Sequence, residues 1–493
     1  MDEQFDVVIV GAGSAGCALA RRLTDEPGIR VALVEAGGQP SHPYISAPTE
    51  YFNLWGTEID WDYESVPQPG TAGRRHRLPR GRVLGGTSAI NGMVYLRGAR
   101  EDFDGWEQDG CTGWGWERVR AAYQQLEEHV LPRVPDETHE LSHVFIEAAM
   151  QAGLRYNPFF DDGDLDGCGW NRLCIHEGER QSSYRAFVEP VVGRDNLHLI
   201  TDAVVDRVEV SSDGIATGVQ VREAAGSVRR LAAGEVVLCA GAYESPRLLM
   251  VSGIGPAQHL RDHDIEPVVD LPVGDNLQDH LLVGVVTTAT RPIGPLHAHI
   301  TENCAFARSS ADAPSCDIEI SFSREMLFAP PVEDGVPRFT IIPGVTRLQS
   351  RGTVRLPPSG STDRLEIDHA YFTQPEDISA LIEAVKLSRA IGASPAFAEW
   401  SGGEYFPGPA VESDAEIETY IREYVSTWFH PAGSCKMGTT EDAVVGPDLR
   451  VIGTSGLRVA DASVMPTVVT VNTNAASMMI GWRAGDLVLA TTN

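Results

Sequence analysis

The stretch WFHPAGSCKMG, residues 428–438, sets a titratable histidine directly before a proline among small residues. A residue preceding proline is pushed away from helical geometry, so His430 is expected at a turn and not on a helix face. There it could take or return a proton, or it could be an ordinary surface histidine satisfied by hydrogen bonds. A second chemical group stands near the N-terminus. Glu35 closes the apolar segment IRVALVEAGG, 24 residues after Gly11 of FDVVIVGAGSAGCALARRL. The glycines of Gly11-x-Gly13-x-x-Gly16, between a buried strand and a helix, suit a pyrophosphate at the helix N-terminus. A carboxylate at the spacing of Glu35 would hydrogen-bond ribose hydroxyls.

The elements that position these groups follow from the pattern. Gly11 permits the tight turn, Gly13 lets backbone approach a pyrophosphate, and Gly16 allows close helix–strand packing. Ala18, Leu19 and Leu23 give the helix its apolar face. A second glycine-rich segment, GRVLGGTSAINGMVYLRG at 81–98, offers the N–H groups of Gly85 and Gly86 and the hydroxyls of Thr87 and Ser88 to a further polar stretch of ligand. A nicotinamide enzyme with one Rossmann unit does not need this, which favours FAD. GEVVLCAGAYESPRLLMVSGIG predicts a strand ending at Ala240–Gly241 and a helix starting near Ser245–Pro246, a good N-cap and N1 pair. Between 290 and 370, short apolar strands (CDIEISFS, RFTIIPGV, GTVRLPP, LEIDHAY) alternate with Pro and Gly turns, as in a sheet. EDISALIEAVKLSRAIGAS then shows helical spacing. VNTNAASMMIGWRAGDLVLA reads as a helix opening near Asn472 or Asn474, interrupted at Gly481.

At 493 residues the chain should hold more than one domain-sized unit. It is 42% hydrophobic and 22% charged, with 39 Lys and Arg against 69 Asp and Glu, a net charge of −30. That acidity repels phosphate backbones, so no nucleic-acid partner is expected; no apolar run reaches membrane-spanning length. Acids precede the first strand without an apolar leader, and the eight cysteines show no CxxC. Free thiols in a reducing cytoplasm are therefore expected, with neither a disulfide framework nor a metal site. His297-Ala-His299 reads as a solvated loop pair, and Trp55, Trp61 and Tyr63 as core or surface packing residues that could instead line a pocket mouth.

Taken in order, these segments resemble the glucose–methanol–choline (GMC) oxidoreductases. The resemblance rests on Gly81–Asp104, on GAYESPRLLMVSGIG (241–255), on VGDNLQDH (273–280) and on GLRVADASVMPTVVTVNTNAASMMIG (456–481). It implies an α/β fold: a Rossmann-like FAD-binding domain with an interleaved substrate domain built on an antiparallel sheet flanked by helices. Residues 1–155, 201–289 and 426–493 would form the FAD domain, and 156–200 and 290–425 the substrate domain. The implied cofactor contacts in the first segment are Gly11, Gly13, Ser14, Ala15, Gly16, Glu35 and Ala36. In the second they are Arg82, Gly85, Gly86, Thr87, Asn91, Gly92 and Met93. Val205, Ala240, Gly241, Asp461, Ala462, Asn472 and Thr473 complete the set. Ile90 stands where some members carry a flavin-linking histidine, so the expected FAD is non-covalent.

The resemblance also implies the chemistry, oxidation of a primary alcohol to an aldehyde. His430 would be the base, titrating near the ordinary histidine value of about 6.5, and Asn474, 44 residues on, its amide partner. The substrate, onward oxidation to the acid, and the choice of O2 or another electron acceptor stay open. Two alternatives stand beside it: a hydroxynitrile lyase on the same scaffold without net flavin redox, and a flavin-binding scaffold without catalysis.

Overall fold

The computed structural model describes residues 3–158, 160–294, 299–358 and 365–492; His297 lies outside them. Val7 to Val10 are all buried, as a parallel strand covered on both faces demands. This strand, Glu3–Val10, lies inside a seven-stranded sheet. The spatial order is Leu197–Ile200, Val31–Val34, Glu3–Val10, Val228–Leu238, Ala216–Glu223 and Ala203–Val210, with Leu457–Val459 also paired to Val228–Leu238. Strands around the glycine turn are parallel, and the two at the far edge are antiparallel.

Helices Ser14–Thr24 and Thr473–Thr492 pack against each other beside this sheet. Gly481 does not interrupt the second helix. A Cβ there would lie 2.1 Å from the carbonyl oxygen of Ala15, so the glycine lets two backbones touch. The helix expected from Ser245–Pro246 starts earlier, at Gly241, and carries Pro246 inside it. Its start is satisfied by side chains: Gly241 N donates to Asp461 Oδ2 from outside, and Ala240 N to Ser245 Oγ within the helix. Pro246 has no N–H for the carbonyl of Ala242, and Ser434 Oγ donates to that carbonyl at 2.6 Å instead.

The second sheet has eight strands. Its order is Ser401–Phe406, Val285–Ala289, Arg338–Val345, Ile318–Ser323, Asn303–Ala307 and Gly167–Trp170, and Leu281–Leu282 joins Arg338–Val345 to Ser426–Thr427. All its pairings are antiparallel. Strand alternation divides its faces. Ile318, Ile320, Phe322 and Ile341 join the core formed with helices Pro375–Gly392 and Glu140–Gln151, while Glu319, Ser321 and Ile342 face the other way, into a cavity.

Several expected strand positions move. Among the described residues, Thr353–Arg355 and Glu366–Asp368 pair only with each other, and Val354 and Ile367 join the nucleotide-side core. Leu197–Ile200 belongs to the first sheet, whereas Leu281–Leu282, Val285–Ala289 and Ser426–Thr427 belong to the second. The boundaries read from sequence at 200, 289 and 426 therefore each cut beside a strand of the other sheet. No helix among the described residues is long and apolar enough to cross a membrane. All eight cysteines are buried, and none is in a disulfide.

Candidate active site

One cavity is lined by both glycine segments, by the ends of the first sheet and by the loop carrying His430. Backbone shapes its nucleotide end. Gly11 has φ +100°, and a Cβ on it would meet the Cys239 carbonyl oxygen at 2.6 Å. On Gly16 a Cβ would lie 1.9 Å from Gly11 O, the close packing the pattern implied. Gly86, at φ +52°, would bring one to 2.6 Å from Gly13 Cα. The two glycine loops thus touch, and Gly11, Gly13 and Gly86 present bare backbone to the cavity.

Glu35 ends the strand Val31–Val34 at the cavity wall and is 6% exposed. Its oxygens accept Ala12 N and Gly37 N, each at 2.9 Å. Burial pushes its carboxyl up to about 7, opposed by these N–H groups and by Arg82. Asp461 accepts Gly241 N, Ser245 Oγ and Ser463 N, and so ties the helix Gly241–Val251 to the 461–463 turn beside the cavity; burial raises its pKa.

His430 lies on a loop, as its proline requires, and is 8% exposed. The preceding Phe429 has φ +65°, a left-handed conformation that costs a residue of this size about 1–3 kcal/mol. Asp279 holds it there. Asp279 Oδ1 accepts His430 N at 2.8 Å, while Oδ2 accepts Thr427 Oγ1 at 2.5 Å and Tyr371 Oη at 2.7 Å. Thr427 Oγ1 in turn accepts Phe429 N at 2.7 Å.

The imidazole of His430 has two partners. Its Nδ1 lies 3.0 Å from Nδ1 of buried His280, so one of these nitrogens carries the shared proton. Its Nε2 is 3.1 Å from Nδ2 of Asn472, whose Oδ1 is buried without a partner. Burial, His280 and Arg80 hold His430 well below the ordinary histidine pKa, and burial lowers His280 to about 4. Both rings are therefore neutral at pH 7. In place of titration near 6.5, the His430 imidazole stays neutral well below that value.

The amide partner also changes. Asn472 precedes the helix Thr473–Thr492 and reaches His430, whereas Asn474 lies in its first turn and accepts Ser14 Oγ at 2.6 Å. Two residues on a helix start point about 200° apart, and only the first faces the histidine. Of the expected cofactor contacts, Ser14, Ala15, Ala36, Thr87, Asn91, Gly92, Met93, Val205, Ala240, Ala462 and Thr473 join Gly11, Gly13, Glu35, Gly86, Gly241, Asp461 and Asn472 on the cavity wall. Gly16 and Gly85 stand behind it, and the Arg82 guanidinium lies over Trp61, 5.0 Å from the ring centroid. The Ser88 hydroxyl is spent within the protein, donating to Gly85 O and accepting Ser183 N.

Trp55, Trp61 and Tyr63 line the cavity, contrary to the packing role expected. His299 is fully buried and stacked on Tyr51 at 5.9 Å, not solvated. Sequence reasoning missed His280 and Asp279, although VGDNLQDH had been recognised, because the pairing spans 150 and 151 positions. It also missed Glu319, which holds a polar position of the alternating strand CDIEISFS and so gave no local sign that it would be buried.

The matches to known proteins contain these motifs. Residues 5–282 and 349–481 match the N- and C-terminal family models described as GMC oxidoreductase. The chain is 36% identical to an alcohol dehydrogenase [acceptor] of Pseudomonas putida, over 98% of this chain and 96% of that protein. It is 37% identical to a choline oxidase of Arthrobacter globiformis, over 99% and 94%. A crystal structure of pyridoxine 4-oxidase from Mesorbium loti superposes with a TM-score of 0.93 at 35% identity, covering 98% of both chains. With both halves of the family pattern matched and the glycine loops, Glu35 and His430 gathered on one cavity, the chain belongs to the GMC oxidoreductase family.

Proposed function

We propose that this protein binds FAD without a covalent link and oxidises a primary alcohol to an aldehyde, with His430 as the base. The observation carrying the reading is the His430 Nε2–Asn472 pair on the wall of the cavity that also holds Glu35 and the two glycine loops. The residues present suit the cofactor: Gly13 and Gly86 line the cavity, and their loops pack so closely that a Cβ on Gly86 would meet Gly13 Cα at 2.6 Å. Glu35 would take a ribose, the N-terminus of Ser14–Thr24 the pyrophosphate, and the N-terminus of Thr473–Thr492 the electron-rich end of the flavin ring. Bound FAD supplies the two-electron acceptor for the hydride leaving the carbinol carbon.

The chain's own part is proton handling. For Nε2 of His430 to accept the hydroxyl proton, its other proton must sit on Nδ1 and be donated to His280. His280 Nδ1 is then the acceptor, and its own proton is on Nε2. The Asn472 amide beside Nε2 gives the substrate oxygen a hydrogen-bonding neighbour that does not compete for the proton. Cavity walls of Trp55, Phe429 and Trp428 exclude water around the developing charge.

A panel of primary alcohols mixed anaerobically with the holoenzyme tests the reading. Bleaching of flavin absorbance is expected; a flavin that stays oxidised with every bound alcohol would sink it, and would be the outcome for a lyase. Admission of air then separates O2 from another acceptor. Acid precipitation should leave FAD in the supernatant, since Ile90 offers no side chain for linkage.

A further inference from the structure

Glu319 is a carboxyl group without a counter-charge. It is 2% exposed on the cavity side of Ile318–Ser323. Its Oε1 accepts one long hydrogen bond from Ser321 Oγ at 3.3 Å, and its Oε2 is buried with no partner among the described residues. Burial pushes its pKa up to about 8, with only Ser321 opposing and no cation nearby. A buried carboxyl normally has its hydrogen-bonding capacity met; here the unmet oxygen belongs to a group on the wall of a ligand cavity.

The sheet register connects Glu319 with the base. Glu319 pairs with Gly344, Gly344 with Leu282, and Leu282 with Ser426, one row across four strands. Gly344 has no side chain, and the indole of Trp428 lies over it: a Cβ there would be 2.0 Å from Trp428 Cζ3. That indole is in turn 6.2 Å from the His430 ring, 12° from parallel. A flat or slender molecule along Trp428 would therefore have its ends at His430 and at Glu319.

We propose that Glu319 is a specificity-determining residue that receives a protonatable nitrogen at the far end of the alcohol. The substrate class is then an amino alcohol or a hydroxymethyl-substituted nitrogen heterocycle. Binding balances in protons: a neutral ring nitrogen takes the carboxyl proton to give N–H⁺ against carboxylate, and an ammonium group meets the carboxylate after that proton has left to solvent. A hydroxyl could bond one oxygen, but only a basic nitrogen can both meet the unpartnered oxygen and leave the carboxylate paired with a cation once the carboxyl proton is given up.

This inference rests on the proposed alcohol oxidation, so binding and bleaching are read separately. Calorimetry of the FAD-loaded protein compares 4-pyridinemethanol with benzyl alcohol, and 5-amino-1-pentanol with 1-hexanol. Tighter binding of each nitrogen-bearing member by about 10- to 100-fold is expected, the worth of a charge-assisted hydrogen bond. In Glu319→Gln, which keeps shape and one acceptor, that ratio should fall to within about threefold, and in Glu319→Leu likewise. Ratios near one in the wild-type protein, or ratios unchanged in both variants, would overturn the role of Glu319. Nitrogen-selective binding without bleaching would keep that role and overturn the oxidation reading.

Discussion

The two ends of the cavity are built from different materials. At the nucleotide end, two glycine loops, the carboxyl groups of Glu35 and Asp461 and helix N-termini make the site, and its first part, Gly11 to Glu35, lies within one short stretch of sequence. At the reactive end, side chains from 279–280, 427–430 and 472 meet through a buried network, and its central histidine has a neighbour 150 positions away. The first kind of site tolerates almost no added atom. The second tolerates atoms but depends on which nitrogen holds a proton. Substitutions should separate the two ends into affinity for FAD and rate of reduction.

The largest effect is expected at His430. His430→Ala should still bind FAD, because the Gly11–Gly16 turn and Glu35 do not contact it. Its anaerobic reductive rate should fall by about 10²–10⁴-fold, the usual worth of a positioned acid–base group. Stopped-flow bleaching of the flavinated variant at the wild-type rate would remove His430 from the chemistry. The pH profile sharpens this. A histidine whose protonated form is disfavoured keeps its base form as pH falls through the reference value of about 6.5. The limiting reduction rate should therefore be level across pH 6–8 and drop only in more acid buffer. An inflection at the reference value would mean that burial and His280 do not depress His430 as the geometry indicates.

Next in size is Glu35. Glu35→Ala removes a buried acceptor of two N–H groups at the ribose end and should weaken FAD binding by about 10- to 100-fold, with a smaller change in the reductive rate of reconstituted enzyme. Titration of apoprotein with FAD measures it, and an equal dissociation constant for both proteins would take Glu35 out of the ribose site.

Legibility followed the same division. Gly11, Gly13, Gly16 and Glu35 could be read because each has a local reason: a turn, a close approach, a strand end. The second sheet was readable as alternating strands, but not which strands pair. GTVRLPP and LEIDHAY have the same local pattern as CDIEISFS, yet among the described residues they pair only with each other. Ser245–Pro246 looked like a helix start because capping chemistry is local. The structure satisfies the earlier amides with Asp461, 220 positions from Gly241. The Asp279 clamp and His280 were hidden for the same reason. A buried hydrogen bond leaves no periodicity, and neither does a buried carboxyl such as Glu319, which sits where the alternation of CDIEISFS calls for a polar residue.

The smallest predicted difference tests the finest correction. Asn472 and Asn474 are two residues apart, and a spacing count alone chose the second. In the structure Asn472 Nδ2 faces His430 Nε2, while Asn474 Oδ1 accepts the hydroxyl of Ser14 at the helix that begins the nucleotide site. One neutral hydrogen bond is worth about 0.5–1.5 kcal/mol, so either alanine variant should change its own observable by about two- to tenfold. For Asn472→Ala the change should appear in the anaerobic reductive rate, with FAD affinity held. For Asn474→Ala it should appear in FAD affinity, through a loosened Ser14–Thr24 N-terminus, with the reductive rate of the saturated protein held. Measuring both constants for both variants gives a crossed pattern if the two asparagines serve opposite ends of the cavity. A slowed reduction confined to Asn474→Ala would restore the spacing argument and remove Asn472 from the base.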